Sequence, residues 1–170
     1  MARVVASQSR TSKRRTATYE FGGTFSAPLE FVYHWCLDYS PDDAKLSKEN
    51  FVRKIVHRSR SGVVYEDLEE GPGGWMWSHV VVTKHPPDAW HAEITGSHRD
   101  WSLDYTLREL PEGGTRLVAR GRRSPTAIGE PNPRRGELER ELCEMWRNYG
   151  RALERDYRAS SRRKSGGTSS

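Results

Sequence analysis

From Thr16 to Phe25 the chain alternates, with Tyr19, Phe21, Gly23 and Phe25 on one side and Thr18, Glu20 and Thr24 on the other. A period of two marks a half-buried strand. Ser26-Ala27-Pro28 then opens a helix, with Ser26 as N-cap and Pro28 in the first turn, where a missing N–H costs little. Leu29, Phe31, Val32, Trp35 and Cys36 carry this helix toward Tyr39. Ser40-Pro41-Asp42-Asp43 starts a second, short helix by the same logic, reaching about Asn50.

Beyond Asn50 the period of two returns. Val52–Arg60 and Gly62–Glu70 read as a hairpin turning at Ser61-Gly62, and Gly71-Pro72-Gly73-Gly74 is a turn. Trp75–His85 places Trp75, Trp77, His79 and Val81 on one face. After Pro86-Pro87-Asp88, Ala89–Ser97 places Trp90, Ala92, Ile94 and Gly96 together. Trp101–Leu110 alternates most clearly, with Trp101, Leu103, Tyr105 and Leu107 inward. Pro111-Glu112-Gly113-Gly114 turns the chain into Thr115–Arg122. Ser124–Pro133 is irregular and reads either as a lid or as a plain connector. A long helix over Arg134–Arg158 ends the pattern, with an apolar stripe of Leu138, Leu142, Met145, Trp146, Tyr149 and Leu153.

Short turns between consecutive strands imply antiparallel neighbours. The predicted architecture is α+β: a curved antiparallel sheet of about seven strands wrapped around a long C-terminal helix, with two short helices after the first strand. The sheet must bury one face, and only the last helix is long enough to cover it. A concave sheet gripping a helix leaves a cleft suited to a ligand.

Composition sharpens this picture. Leu, Ile, Val and Phe number only 29 of 170 residues, a fraction that alone suggests disorder. Six Trp and seven Tyr, crowded into the middle of the chain, reverse that inference. The expected division is a flexible basic arm over 1–15, a folded domain over 16–158 and a flexible basic tail over 159–170. The net charge of +5 belongs to the ends, because residues 17–157 carry 19 basic against 23 acidic residues. A nucleic-acid binder should carry its basic stripe on the fold, so no specific nucleic acid is expected as a partner. Cys36 and Cys143 lie far apart, no apolar leader opens the chain, and no run approaches a membrane span. A cytoplasmic location with reduced thiols is the expectation. No pattern in the sequence sets an oligomeric state.

Three strings carry a resemblance. FSAPLEFVYHWCLDY resembles the opening strand and helix of the START-like (SRPBCC) superfamily, the helix-grip fold. YTLRELPEGGTRLVARGR resembles the hairpin ahead of its last helix, and ELERELCEMWRNYGRALE matches its amphipathic stripe. The resemblance spans about 16–158 and implies a cavity for a hydrophobic ligand. The superfamily includes lipid carriers, plant hormone receptors, polyketide cyclases, oxygenase subunits and chaperone activators, and the fold does not choose among them. The oxygenase subunits hold iron through two His and one carboxylate. Here His34, His57, His79, His85, His91 and His98 show no helical i, i+4 pair, so no metal is expected. Without GxGxxG, P-loop or GxSxG, no cofactor is expected either.

The expected ligand-binding residues are Tyr65, Trp75, Trp77, His79, Trp90, Trp101, Leu103, Tyr105, Trp146 and Tyr149. Asp67 is expected to be solvated, because Glu66, Glu69 and Glu70 surround it. The favoured reading is non-catalytic binding or carriage of a small hydrophobic or aromatic, lipid- or polyketide-like ligand. One alternative is a polyketide cyclase/dehydratase-like enzyme using His79 and Tyr105 for proton transfer. The other is an interaction module recruited through its basic ends.

Overall fold

The computed structural model describes residues 16–40, 43–47, 50–71, 74–97, 99–126 and 134–165. The chain forms β1 (Ala17–Phe25), α1 (Leu29–Cys36), α2 (Asp43–Ser47), β2 (Phe51–Arg58), β3 (Gly62–Gly71), β4 (Gly74–His85), β5 (Ala89–Gly96), β6 (Arg99–Glu109), β7 (Thr115–Pro125) and α3 (Arg135–Ser165). The strands build one antiparallel sheet in the order β1-β7-β6-β5-β4-β3-β2. The sheet does not close, and β1 and β2 are its edges. This is the predicted α+β helix-grip layout. No helix among the described residues is long and apolar enough to cross a membrane.

Several boundaries move for physical reasons. Tyr39 adopts a left-handed φ of 46°, so the helix predicted to reach it stops at Cys36. β7 extends to Pro125 because Arg99 at the start of β6 supplies its partner. α3 continues to Ser165, beyond the predicted Arg158. Ser26 is not the N-cap of α1. Pro28 holds that position, and the Ser26 hydroxyl and N–H both donate to the Glu154 carboxylate on α3. Residues 1–15, 127–133 and 166–170, which cover the basic arm, most of the expected lid and the end of the tail, lie outside the described residues.

The core fills the concave side of the sheet. Leu103 and Leu107 of β6, Leu117 and Ala119 of β7, and Tyr19 and Phe21 of β1 are buried there. Leu138, Leu142 and Leu153 of α3 pack from the other side. Gly121 is required by a close approach, since a Cβ at that position would lie 2.6 Å from Tyr19 Oη. α3 is fastened to α1 as well: Trp35 Nε1 donates to Asp156 at 3.1 Å, and Phe31 packs on Tyr157. In the second half of α3, Arg151, Arg155, Arg158 and Arg162 outnumber Glu154 and Asp156, a bias toward positive charge that suits a helix C-terminus.

The convex face has two halves. Over β5, β6, β7 and β1 it is polar: His91 lies 2.7 Å from both Asp104 and Glu93, Ser102 donates to Glu93, and Arg120 pairs with Glu20. Partial burial opposes charge on His91, but its hydrogen bonds to the two carboxylates outweigh that and raise its pKa. Over β2, β3 and β4 the convex face exposes Val52, Leu68, Trp75 and Val81 among polar side chains such as Lys54, Glu66 and His79.

Candidate functional site

Between the concave sheet and α3 lies a cavity of about 370 Å³, within the size range of small-molecule sites. Tyr65 of β3, Trp90 of β5, and Trp101, Leu103 and Tyr105 of β6 form its sheet wall. Leu138, Leu142, Met145, Trp146 and Tyr149 of α3 face them, and Trp35, Cys36 and Tyr39 close the α1 side. The rings are ordered against one another. Trp90 stacks on Tyr105 with centroids 4.7 Å apart and planes 10° from parallel. Trp146 lies 5.9 Å from both Tyr105 and Phe21 and 5.8 Å from Tyr149. Such tilted and offset contacts keep an aromatic wall rigid.

Strand alternation and register explain which predicted residues arrive here. Tyr65, Trp90, Trp101, Leu103, Tyr105, Trp146 and Tyr149 all line the cavity. On β4 the expected face is reversed. Val80 and Val82 are buried and Met76 and Ser78 border the cavity, so Trp75, His79 and Val81 project from the convex side. Trp77 borders the cavity but is 44% exposed. The β4 run Val80-Val81-Val82 is apolar on both faces, so its alternation carried no sign. His79 stands near Glu66 on the convex face and takes no part in the cavity, leaving Tyr105 as the remaining candidate of that pair. Burial raises the Tyr105 pKa well above the ordinary phenol value, so its hydroxyl keeps its proton.

The principal polar feature of the wall went unread in the sequence. Arg53 of β2 is almost fully buried and donates through Nε and Nη2 to the two Asp67 oxygens, each at 2.8 Å. Its Nη1 donates to Asp43 at 2.5 Å. The guanidinium also lies 4.2 Å from the Tyr65 ring centroid and 4.9 Å from that of Phe51. Asp67 is therefore a buried ion-pair partner and not a solvated group. It sits two residues from Tyr65, on the same inward face, directly opposite Arg53 in the β2–β3 register.

One guanidinium here serves two carboxylates. Asp67 takes the bidentate contact, and burial pushes the Asp43 carboxyl up to about 6 despite Arg53. Arg53 remains charged: burial opposes its charge, but the hydrogen bonds to Asp67 and the surrounding negative groups hold its pKa above the ordinary value. On the β6–β7 side the cavity is also basic, with Arg99 and Arg123 lying 5.6 Å and 5.2 Å from the Trp101 ring centroid. Burial holds the Cys36 thiol protonated, and neither Cys36 nor Cys143 forms a disulfide. The indole N–H groups of Trp90 and Trp146 are buried and meet no hydrogen-bond partner among the described residues.

No family model matches the sequence, and no curated protein matches it either. Solved structures do match in shape. The Zhui aromatase/cyclase from Streptomyces sp. R1128 superposes with a TM-score of 0.64 at 16% identity, covering 85% of this chain and 94% of that one. Ara h 8.0201 gives 0.62 at 15% identity, over 85% and 99% of the two chains. A START superfamily protein from Mycobacterium smegmatis gives 0.60 at 15% identity, over 84% and 97%. The open seven-stranded sheet, its order and the gripped C-terminal helix agree with these likenesses: the chain has the START-like, SRPBCC-type helix-grip fold.

Proposed function

We propose that the protein binds a small, ring-bearing hydrophobic ligand with acceptor oxygens in the cavity between the sheet and α3. The carrying observation is an aromatic-walled cavity of about 370 Å³ whose β6–β7 side carries Arg99 and Arg123. A keto or phenolic oxygen on the ligand would accept a hydrogen bond from a guanidinium there, worth about 1.5–3 kcal/mol. The stacked Trp90–Tyr105 pair supplies a flat apolar wall for a ring. Polycyclic aromatics, quinones and polyketide-like molecules combine these features, and the likeness to an aromatase/cyclase fold supports the same class.

The test is native mass spectrometry of gently purified protein, followed by a thermal-shift screen of lipids, quinones and polycyclic phenols. A ligand at 100 times its Kd adds about 2.7 kcal/mol, which should raise Tm by on the order of 5–10 °C. Arg99→Met should weaken binding of an oxygenated ligand about tenfold while sparing its hydrocarbon analogue. Failure of every apolar ligand to raise Tm, with no copurified molecule, would sink the reading.

A cyclase-like activity is favoured by one observation. Asp43 lines the same cavity and titrates at about 6, close to the value that suits a group exchanging protons at neutral pH. Turnover of a linear polyketone by the wild type, lost in Asp43→Asn with binding retained, is the expected signature. Equal turnover in both proteins would refute this role for Asp43.

A further inference from the structure

Antiparallel sheets that show one face to water usually make that face polar. Here only half of the convex face obeys. Across β2, β3 and β4, Val52 is 67% exposed, Trp75 60%, Trp77 44% and Leu68 42%, with Val56 and Val81 also exposed. The register joins them: Val52 pairs with Leu68, Leu68 with Trp77, and Val64 with Val81. A row of apolar side chains, Val52–Leu68–Trp77, is therefore exposed, with tryptophan, a residue enriched in interface hot spots, at one side.

The patch is also self-complementary in charge. The polar row Lys54–Glu66–His79 lies between the Val52–Leu68–Trp77 row and the His57–Val64–Val81 row, and Glu70 pairs with Trp75 at the margin. A two-fold axis lying in the plane of the face and running between β2 and β3 sets Lys54 of each copy opposite Glu66 of the partner subunit. The same operation sets Val52 opposite Leu68 of the partner subunit and carries Trp77 over the partner's free β2 edge. An isologous dimer requires a surface that matches itself under such an axis. Edge-to-edge extension of the sheet is disfavoured, because β2 is bulged between Ile55 and His57 and rich in basic residues. A standard interface takes about 800 Å² from each partner, and an exposed monomer patch reaches about 300–600 Å². The apolar side chains alone fall short of that area, so the polar ones between them belong to the contact.

We infer that the convex face of β2–β4 is the contact surface of a symmetric, face-to-face homodimer. The cavity lies between the opposite face of the sheet and α3, with only Trp77 of the patch at its border, so each copy keeps its site.

Sedimentation velocity and light scattering on the full chain test this, with circular dichroism as the check of folding. The expected result is a dimer with a Kd in the micromolar range or below. Leu68→Glu or Trp77→Glu should weaken it by roughly 30-fold or more, the effect of losing one hot-spot residue. Lys54→Glu and Glu66→Lys should each weaken it about tenfold, and the double charge swap should restore it, since it re-forms the pair across the axis. A wild-type chain that is monomeric at about 100 μM, far above the range of standard interfaces, overturns the dimer and leaves another protein as the occupant of the patch. A dimer indifferent to the glutamate substitutions overturns the surface, and a double swap without rescue overturns the axis.

Discussion

Arg53 shows how one side chain can set the stability and the electrostatics of a site together. Removing one partner of a buried ion pair is far costlier than the pair's net worth, because the other charge is stranded. Asp67→Ala should therefore destabilise the protein by about 3 kcal/mol, measured by urea unfolding. Asp43→Asn keeps the hydrogen-bonding shape and removes only the titration. The folded-state pKa of Asp43, about 6, lies above the unfolded value near 4. Its protonation thus favours the fold, a contribution complete below pH 4 and lost as pH rises through 6. The Tm of the wild type relative to Asp43→Asn should fall between pH 4 and pH 7 and then level off. A difference that rises over that window would show that the Arg53 attraction outweighs burial. This triad was legible in principle: Asp67 follows Tyr65, an expected ligand contact, by two on the same strand. Its acidic neighbours masked it, and the opposing Arg53 depends on a cross-strand register that no local pattern records.

Elements were the most legible level, because each carries its own period and punctuation. The β6–β7 hairpin was placed correctly by Gly113-Gly114, both of which adopt positive φ. The α3 stripe at Leu138, Leu142 and Leu153 follows from helical spacing alone. What fails at this level is orientation where both faces are apolar, as on β4, and any contact made far away in sequence. Ser26 is the clearest case: a plausible cap residue bonds to Glu154, 128 positions later. That contact ties α1 to the helix forming the opposite wall of the cavity. Glu154→Gln should cost about 1.5 kcal/mol, the scale of a hydrogen bond to a charged group. Hydrogen exchange should quicken in the peptide covering 26–36 and stay unchanged in β5 and β6. Unchanged exchange in that peptide would mean that Phe31 on Tyr157 and the Trp35–Asp156 hydrogen bond hold α1 in place without it.

At the scale of the whole molecule, the layout was readable because a single sheet must bury a face and only one helix could cover it. Two faces of that sheet do different work. The concave face is aromatic and encloses the cavity, while the convex face is divided between a charged network and a half where exposed apolar side chains stand among polar ones. Composition had already concentrated tryptophan in the middle of the chain, but it could not distribute the rings between the two sides. Trp90 and Trp101 went in, and Trp75 went out, through strand registers set by the sheet as a unit.

The pairing of β1 with β7 carries a consequence for biosynthesis. Ala17 finds its sheet partner at Arg123, across the whole meander. At about 5–20 residues per second of translation, β1 waits roughly 5–20 s on the ribosome before β7 exists. β2 to β6 are all made in that interval, each beside a strand neighbouring it in sequence. α3 is made after every strand it covers. A nascent chain stalled or truncated before residue 135 would present bare Trp90, Trp101 and Tyr105 to its surroundings, which makes the half-made protein a natural client for chaperones that shield aromatic surface.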